Sequence, residues 1–371
     1  MPKYNRIEVG DPAPSFRQAS TSNPAYNFNT AAGRYLVLCF HGSAADARGA
    51  QAMAILTRHR ALFDDEKVAF FGISVDAQDQ AKARVAESLP GIRFIWDFDA
   101  SVSRLYGAAP VDAEGSSISL RRLWVIVDPT LRVRAIVPFR EDGGDGDEVA
   151  AYLAALPPVD RFAGITLQAP ILFLPDVFEP DLCRQLVDLY ESHGGEESGF
   201  MREEGGKTVL VTDFGHKRRS DYTIESEELR QLLQRKVVRR IVPEIQKVHQ
   251  FTVTRMERYL IGCYDSVTAG HFRPHRDNTT KGTAHRRFAV SINLNADFEG
   301  GEISFPEYGP RSFKPPPGGA VIFSCSLLHA VSPMRAGKRY AFLPFLYDEA
   351  AAALREANNK FLDEAVGAYR P

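Results

Sequence analysis

The chain has 371 residues, of which 45 are basic and 47 acidic, and 44% of the residues are hydrophobic. This balance is typical of a soluble globular protein and argues against a nucleic-acid-binding or membrane-embedded protein. The length suggests two domains, each large enough to bury a core.

The amino terminus and the cysteines indicate a cytoplasmic protein. Residues 1–6 lack the apolar core of a signal peptide, and no segment approaches the roughly 20 apolar residues of a membrane span. The cysteines lie far apart and form no C-x-x-C motif, so we expect buried, reduced thiols. They are Cys39, Cys183, Cys263 and Cys325.

Short, continuously apolar runs alternate with helical patterns in the first half of the chain. Such runs suit strands that are covered on both faces, so this half is predicted to be an α/β domain with a central sheet. A helical pattern over 51–63 would cross between the first two strands. The predicted strands are 35–40, 68–75, 123–127 and 133–137.

Four motifs in this half resemble the peroxiredoxin family of the alkyl hydroperoxide reductase and thiol-specific antioxidant type. The resemblance implies a thioredoxin-like fold, with a peroxidatic thiolate at the start of the helix after the first central strand. Residues 40–50 contain no cysteine, so we expect a degenerate domain that serves as a partner surface, a dimer contact or a platform. The motifs are V-G-D-P-A-P-S-F at 9–16, F-G-I-S-V-D at 71–76, W-D-F-D at 96–99 and W-V-I-V-D-P at 124–129.

Two residues of this half, Cys39 and Arg122, bear on the missing thiol. Cys39 lies in the apolar strand, where burial would raise its pKa, and a thiol peroxidase that uses Cys39 is one alternative function. Arg122 resembles the family's active-site arginine and is expected to remain as a structural charge.

The boundary between the two halves is marked by prolines. A helical pattern at 149–156 stops at Pro157 and Pro158, because proline cannot continue a helix. The predicted domains are therefore 1–156 and 166–371, joined by a linker at 157–165.

The second half begins with a predicted strand and two predicted helices. A strand near 169–178 precedes a helix that starts at Pro180, and a second helix is predicted over 225–242. Pro243 is expected to end that helix. The polar segment 196–221 between the helices shows no periodicity and is long enough to be a mobile loop or a lid.

Short strands follow from residue 251 onward. Frequent Gly, Pro and Asn turns separate them, which predicts a double-stranded β-helix, or jelly roll, with supporting helices. The predicted strands are 253–264, 288–294, 302–305, 320–324 and 340–346.

Three side chains in this half predict a metal site. His275 and Asp277 are separated by one residue, so in a strand they would present an imidazole and a carboxylate on the same face. His329 follows the apolar strand 320–324 and would complete a 2-His-1-carboxylate triad, which suits non-haem Fe(II). A buried guanidinium at Arg339 would bind a small dicarboxylate that chelates the metal, namely 2-oxoglutarate.

These residues, with H-A-V-S-P at 329–333 and F-E-G-G-E at 298–302, resemble the Fe(II)/2-oxoglutarate-dependent dioxygenases of the prolyl 4-hydroxylase-like group. The resemblance covers roughly residues 165–350. It implies that the triad binds iron and that Arg339 holds the distal carboxylate of 2-oxoglutarate. Tyr264 resembles a tyrosine that contacts the same carboxylate, and Tyr259 competes for that role. His271 and His285 are interpreted as orienting or surface groups.

The predicted function is hydroxylation of a C–H bond with O2 and 2-oxoglutarate, giving succinate and CO2, with ascorbate as a candidate reductant. The carboxylate of Asp277 favours hydroxylation, because related halogenases lack it. Peptidyl proline and small metabolites both fit as substrates, and a homodimer through the peroxiredoxin-like domain is one candidate assembly. The other alternative, besides the Cys39 peroxidase, is a non-enzymatic scaffold or binding protein.

Overall fold

The computed structural model of the protein describes residues 2–112 and 119–367. The chain divides into two compact units. The first comprises Met1–Gln168 with Pro306–Pro310, and the second comprises Ala169–Phe305 with Arg311–Pro371. The linker at 157–165 remains a prediction.

The first unit alternates strands and helices. Its strands are β1 (Arg17–Gln18), β2 (Tyr26–Asn27), β3 (Tyr35–Gly42), β4 (Val68–Ser74), β5 (Ile92–Trp96), β6 (Leu123–Val127) and β7 (Val133–Pro138). Its helices are α1 (Ala47–Arg58), α2 (Ala77–Ala81), α3 (Ser101–Leu105) and α4 (Asp145–Ala155).

A five-stranded sheet with the order β5-β4-β3-β6-β7 forms the centre of this unit. β3 pairs in parallel with β4, and β4 with β5, whereas β6 and β7 are antiparallel. β3 is buried along its whole length, as its continuous apolar run predicts. The thioredoxin-like α/β fold is thereby confirmed.

Two local features of this unit differ from the prediction. β5 was missed, because Arg93 interrupts its apolar run; in the structure Arg93 forms an ion pair with Asp65 at 2.7 Å. The crossover helix α1 begins earlier than predicted, because the Asp46 side chain caps it by accepting a hydrogen bond from Gly49 N.

The second unit consists mainly of short strands. Its strands are β8 (Leu172–Leu174), β9 (Glu196–Glu197), β10 (Phe200–Glu204), β11 (Lys207–Val211), β12 (Lys217–Arg218), β13 (Ser220–Thr223), β14 (Arg255–Glu257), β15 (Leu260–Asp265), β16 (His271–His275), β17 (Phe288–Asn293), β18 (Phe298–Glu299), β19 (Ile303–Ser304), β20 (Ser312–Phe313), β21 (Ala320–Ser324), β22 (His329–Val331), β23 (Ala336–Phe342) and β24 (Phe345–Tyr347). Its helices are α5 (Pro180–His193), α6 (Glu227–Arg240), α7 (Val242–His249) and α8 (Glu349–Ala357).

These strands form two main sheets. The larger follows the order β14-β24-β17-β23-β15-β13-β9, with β21 and β8 beyond β17, and the smaller follows β12-β16-β22-β19-β20. Apolar side chains of α5, α6 and α7 pack in one core with the larger sheet, among them Leu186, Leu233 and Ile245. The predicted jelly roll with supporting helices is confirmed.

Two predictions about elements of this unit were wrong, and one was confirmed. The segment 196–221 is no loop without structure, since it contains β9 to β13, including the β10–β11 hairpin. The predicted end of the second helix near Pro243 was confirmed, because α6 ends at Arg240; Pro243 itself occupies the first turn of α7, where a missing N–H costs nothing. The strand predicted over 253–264 breaks at Arg258, whose φ of 66° separates β14 from β15. Within the described residues, no helix is both long and apolar enough to span a membrane.

Candidate metal centre

The structure brings His275, Asp277 and His329 together. The Nε2 atom of His275 lies 3.6 Å from one carboxylate oxygen of Asp277, and the Nε2 atom of His329 lies 3.3 Å from the other. One donor atom from each residue lies within 4.8 Å of the others. Two imidazole nitrogens and a carboxylate are the donor set of the 2-His-1-carboxylate site, so these residues fit Fe(II).

Both imidazoles are oriented by their other ring nitrogen. His275 Nδ1 lies 2.8 Å from the carbonyl oxygen of Arg273, and His329 Nδ1 lies 3.0 Å from that of Leu327. A carbonyl oxygen only accepts, so each Nδ1 carries the proton and each Nε2 keeps its lone pair for a metal ion. Burial lowers the pKa of His275 well below its ordinary value, which favours the neutral, ligating form.

The triad arises from a strand pair and a turn. His275 and His329 are register partners on the antiparallel strands β16 and β22. Asp277 lies just beyond the end of β16, where its backbone N–H donates to the Cys325 carbonyl oxygen at 2.9 Å. The two residues of the H-x-D motif therefore meet through a turn, and not through the alternation of a strand.

Arg339 lies on β23 and is 2% exposed. Its Nε donates to Asn293 Oδ1 at 3.0 Å, and its Nη2 donates to Ser291 Oγ at 2.7 Å. Both acceptors are neutral, and within the described residues no carboxylate forms an ion pair with this guanidinium. Burial lowers the pKa of Arg339 to about 10. The site thus holds a buried cation whose charge no described acidic side chain pairs with.

The structure places Tyr264, and not Tyr259, next to Arg339. Tyr264 on β15 is the register partner of Arg339, and its ring centroid lies 5.5 Å from the guanidinium carbon. Tyr259 packs instead against the helical core, and Arg230 lies 5.9 Å from its ring centroid. The two remaining candidate histidines do not join the triad. His271 Nδ1 contacts the Ala269 carbonyl oxygen, and His285 is buried, not at the surface, 3.2 Å from Glu257.

A charged cluster that was not predicted from the sequence lies next to the triad. Lys217 and Arg219 are both buried, and Arg219 forms a two-pronged ion pair with Asp221 at 2.6 and 2.7 Å. Burial and then repulsion from Arg219 lower the pKa of Lys217 well below its ordinary value. The three residues alternate along the chain, as inward-facing residues of a strand do, and that spacing was the available signal.

In the first unit, Asp46 caps α1, the helix at whose start the resemblance implies a peroxidatic thiol. Asp46 precedes α1 and accepts hydrogen bonds from Arg122 Nη1 and Nη2 at 2.7 and 2.6 Å. Arg122 is therefore a structural charge with a defined partner. Cys39 is fully buried in β3, and burial raises its pKa well above the ordinary value, which disfavours a nucleophilic role.

Two family models match the chain, one in each half. Residues 259–347 match the family model of the 2OG-Fe(II) oxygenase superfamily, and residues 9–136 match that of the AhpC/TSA family. The chain joins an AhpC/TSA-like domain to a 2OG-Fe(II) oxygenase domain. The oxygenase match spans β15 to β24 and includes the triad and Arg339.

Solved structures similar to the chain include proteins of both kinds. A prolyl hydroxylase from Trichoplax adhaerens in complex with a hypoxia inducible factor peptide fragment is 16% identical, with a TM-score of 0.40, covering 53% of this chain and 93% of its own. A Pseudomonas putida prolyl-4-hydroxylase is 17% identical, with a TM-score of 0.38 and coverages of 53% and 98%. Peroxidoxin BcpB from Mycobacterium tuberculosis is 16% identical, with a TM-score of 0.36 and coverages of 41% and 99%. No curated protein matches the chain.

Proposed function

We propose that the oxygenase domain hydroxylates a C–H bond of a small molecule or a peptide in a reaction that needs Fe(II), 2-oxoglutarate and O2. One observation carries the proposal: the buried guanidinium of Arg339 lacks a described carboxylate partner and lies in the same domain as the triad. A dicarboxylate that binds Arg339 at one end and the metal at the other would satisfy both groups.

When bound, Fe(II) would activate O2, which would oxidise 2-oxoglutarate to succinate and CO2 and a C–H bond of the substrate to C–OH. His275, Asp277 and His329 would hold the ion and leave its other positions open. Arg339 would hold the distal carboxylate, with the Tyr264 hydroxyl as a further hydrogen-bonding group. Asn293 and Ser291 keep the guanidinium in place by accepting two of its hydrogen bonds.

The proposal also includes a reductant for the iron, a cellular location and an oligomeric state of the protein. Ascorbate would serve to keep the iron reduced. A cytoplasmic location accords with four free cysteines, all buried. A homodimer through the AhpC/TSA-like domain stays a prediction that sedimentation of the full chain would test.

Two measurements test the oxygenase proposal. Anaerobic addition of Fe(II) and 2-oxoglutarate should produce the weak visible absorption of a metal chelate, and its absence would contradict the proposal. Succinate formation against a panel of proline-containing peptides and small metabolites should then identify the substrate class.

Arg339→Ala should mainly raise the 2-oxoglutarate concentration that half-saturates the chelate absorption, because the distal carboxylate loses its partner.

A further inference from the structure

The AhpC/TSA-like domain contains a cavity of about 550 Å³. The described residues that line it are Arg48, Leu120, Arg121, Arg122 and Phe139. Three of these five are arginines, and none of the five is acidic. Sites for small molecules commonly have volumes of roughly 300–1,000 Å³, so the cavity is large enough for a small ligand.

Arg48 lies in the first turn of α1, where the helix dipole is unfavourable for a positive charge. No other residue of that turn is acidic. The side chain is exposed, and within the described residues no carboxylate forms an ion pair with it. Because a guanidinium stays protonated in proteins, this cation has no local compensation. An anion in the cavity would offset its unfavourable position.

The other two arginines of the cavity have defined contacts. Arg122 donates to both carboxylate oxygens of Asp46, so Asp46 offsets its charge. The guanidinium carbon of Arg121 lies 3.5 Å from the centroid of the Tyr4 ring, a contact that orients the side chain without neutralising it. Asp46 is therefore the one described carboxylate that pairs with any of the three arginines. Two positive charges remain in surplus.

Leu120 and Phe139 give the cavity an apolar wall. Both are half-buried. The backbone N–H of Phe139 donates to the Arg122 carbonyl oxygen at 3.0 Å, and its ring stacks on Trp124 with the centroids 5.5 Å apart. These contacts hold the Phe139 ring beside the arginines. An apolar part of a ligand would pack on this wall while its charged part contacts the guanidinium groups.

We propose that this cavity binds a phosphate monoester with an apolar or aromatic organic group. Guanidinium groups present two parallel N–H donors that match the oxygens of a phosphate. A phosphate monoester carries about 1.5–2 negative charges at pH 7, which matches the surplus of two positive charges. Leu120 and Phe139 would contact the organic group. The proposal is independent of the triad and of the oxygenase function.

Isothermal titration calorimetry of the metal-free full chain with phenyl phosphate at pH 7, at two temperatures, tests the proposal. We expect saturable binding. Arg48→Ala and Arg121→Ala should each weaken it at least about tenfold, because each removes a charge-assisted hydrogen bond. Both side chains are exposed, so neither substitution disturbs the core.

Two further ligands separate the contributions of charge and ring. Inorganic phosphate has the charge without the ring, and it should bind at least about fivefold more weakly than phenyl phosphate, because it buries no apolar surface on Leu120 and Phe139. Phenylacetate has the ring with a single charge, and it should also bind at least about fivefold more weakly, because it forms fewer charge-assisted hydrogen bonds.

Two variants of α1 serve as matched controls. Arg58 lies in the last turn of the same helix and pairs with Asp147, so Arg58→Ala should leave the affinity for phenyl phosphate unchanged. Asp46→Asn keeps a helix-capping side chain and removes the carboxylate that competes for Arg122. This variant should bind phenyl phosphate about two- to fivefold more tightly.

Several outcomes would overturn the proposal. They are the absence of saturable binding, equal affinities in Arg48→Ala, Arg121→Ala and the unsubstituted protein, or an equal loss of affinity in Arg58→Ala, which would reflect net charge alone. Equal affinities for phenyl phosphate and inorganic phosphate would exclude a role of the apolar wall, and equal affinities for phenyl phosphate and phenylacetate would exclude selection of a dianion. None of these outcomes alters the expected binding of Fe(II) or 2-oxoglutarate.

Discussion

At the scale of single residues, Asp277 is the group on which the metal centre depends most directly. Its two carboxylate oxygens face the two imidazoles, so Asp277→Ala removes the charged donor of the triad. We expect more than about a hundredfold loss of Fe(II) affinity, because even the outer partners of metal ligands contribute about 10–100-fold. Asp297→Ala, at an exposed position of the same domain, should bind Fe(II) normally. Anaerobic equilibrium dialysis measures both, and equal iron occupancy would refute the triad.

The H-x-D motif, His329 and Arg339 could be singled out from sequence because their residue types are the ligands of the predicted chemistry. Their meeting could not be derived from strand alternation, because Asp277 lies in a turn after β16. The burial of Lys217 was not predicted, because residues distant in sequence enclose it. A lysine beside two arginines in a chain is ordinarily a solvated residue, and only the tertiary structure reveals that this one is enclosed.

A cysteine introduced at position 46 tests whether the start of α1 and Arg122 can stabilise a thiolate in the AhpC/TSA-like domain. Although partial burial opposes it, hydrogen bonds from Arg122 and from the backbone at the start of α1 lower the pKa of Asp46. The same surroundings would stabilise a thiolate, so the introduced thiol of Asp46→Cys should have a pKa below the ordinary value of about 8.5. The pH dependence of its alkylation rate measures this pKa.

The alkylation experiment has two controls in this chain. Asp46→Ala retains the four native cysteines, all buried, and should react slowly at every pH. Replacing Arg122 with Ala in the Asp46→Cys protein should raise the thiol pKa, because the guanidinium is lost. A midpoint at or above the ordinary value in Asp46→Cys would show that α1 and Arg122 no longer form a thiolate-stabilising site.

At the scale of elements, continuous apolar runs predicted β3, β4, β6 and β7 because both faces of that sheet are covered. Strands were not predicted where polar residues are buried by pairing, as at Arg93 in β5, or where a strand is only two residues long, as in β12. In segment 196–221 the charges of β12 and β13 face inward, so the apolar alternation that identifies a strand is absent.

Glu257 joins three elements of the oxygenase domain. On β14, it accepts a hydrogen bond from Arg286 Nε at 2.8 Å, pairs with Arg355 of α8 at 2.7 Å and lies 3.2 Å from His285. Burial alone would raise the pKa of Glu257, but the charge of Arg286 and the contacts with His285 and Arg355 outweigh it and lower the pKa. A carboxyl whose folded-state pKa is depressed stabilises the fold above its unfolded pKa, and this contribution is lost as the pH falls.

Glu257→Gln should therefore destabilise the oxygenase domain at pH 7 by about 3–5 kcal/mol, since it leaves two arginines without their buried counter-charge. The difference from the unsubstituted protein should shrink below the unfolded glutamate pKa of about 4.3. Urea unfolding followed by far-ultraviolet circular dichroism between pH 7 and pH 3 measures it. Glu349→Gln, which removes an exposed ion pair with Arg255, should cost far less, because solvent screens exposed charges. A pH-independent difference for Glu257→Gln would contradict the ion-pair explanation.

At the scale of the whole molecule, each unit has its own hydrophobic core. One core is built around β3, β4 and β6 with α1 and α4, and the other around the larger sheet of the second unit with α5, α6 and α7. Pro157 and Pro158, with the change in pattern beyond them, predicted a linker at 157–165, and that linker stays a prediction. Because the triad and Arg339 lie in the second unit, we expect ligands of the oxygenase chemistry to stabilise that unit directly.

The tryptophans allow the unfolding of the first unit to be followed separately from that of the second. The chain has two, Trp96 and Trp124, and both are buried in the first unit. Mn(II) with 2-oxoglutarate at a hundred times the apparent Kd should stabilise the unit that binds them by about 2.7 kcal/mol. Urea unfolding followed by tryptophan fluorescence should therefore keep its midpoint, while circular dichroism should show a second transition that moves to higher urea. His275→Ala should abolish that movement. A tryptophan midpoint that rises together with the second transition would show that the two units unfold as one cooperative structure.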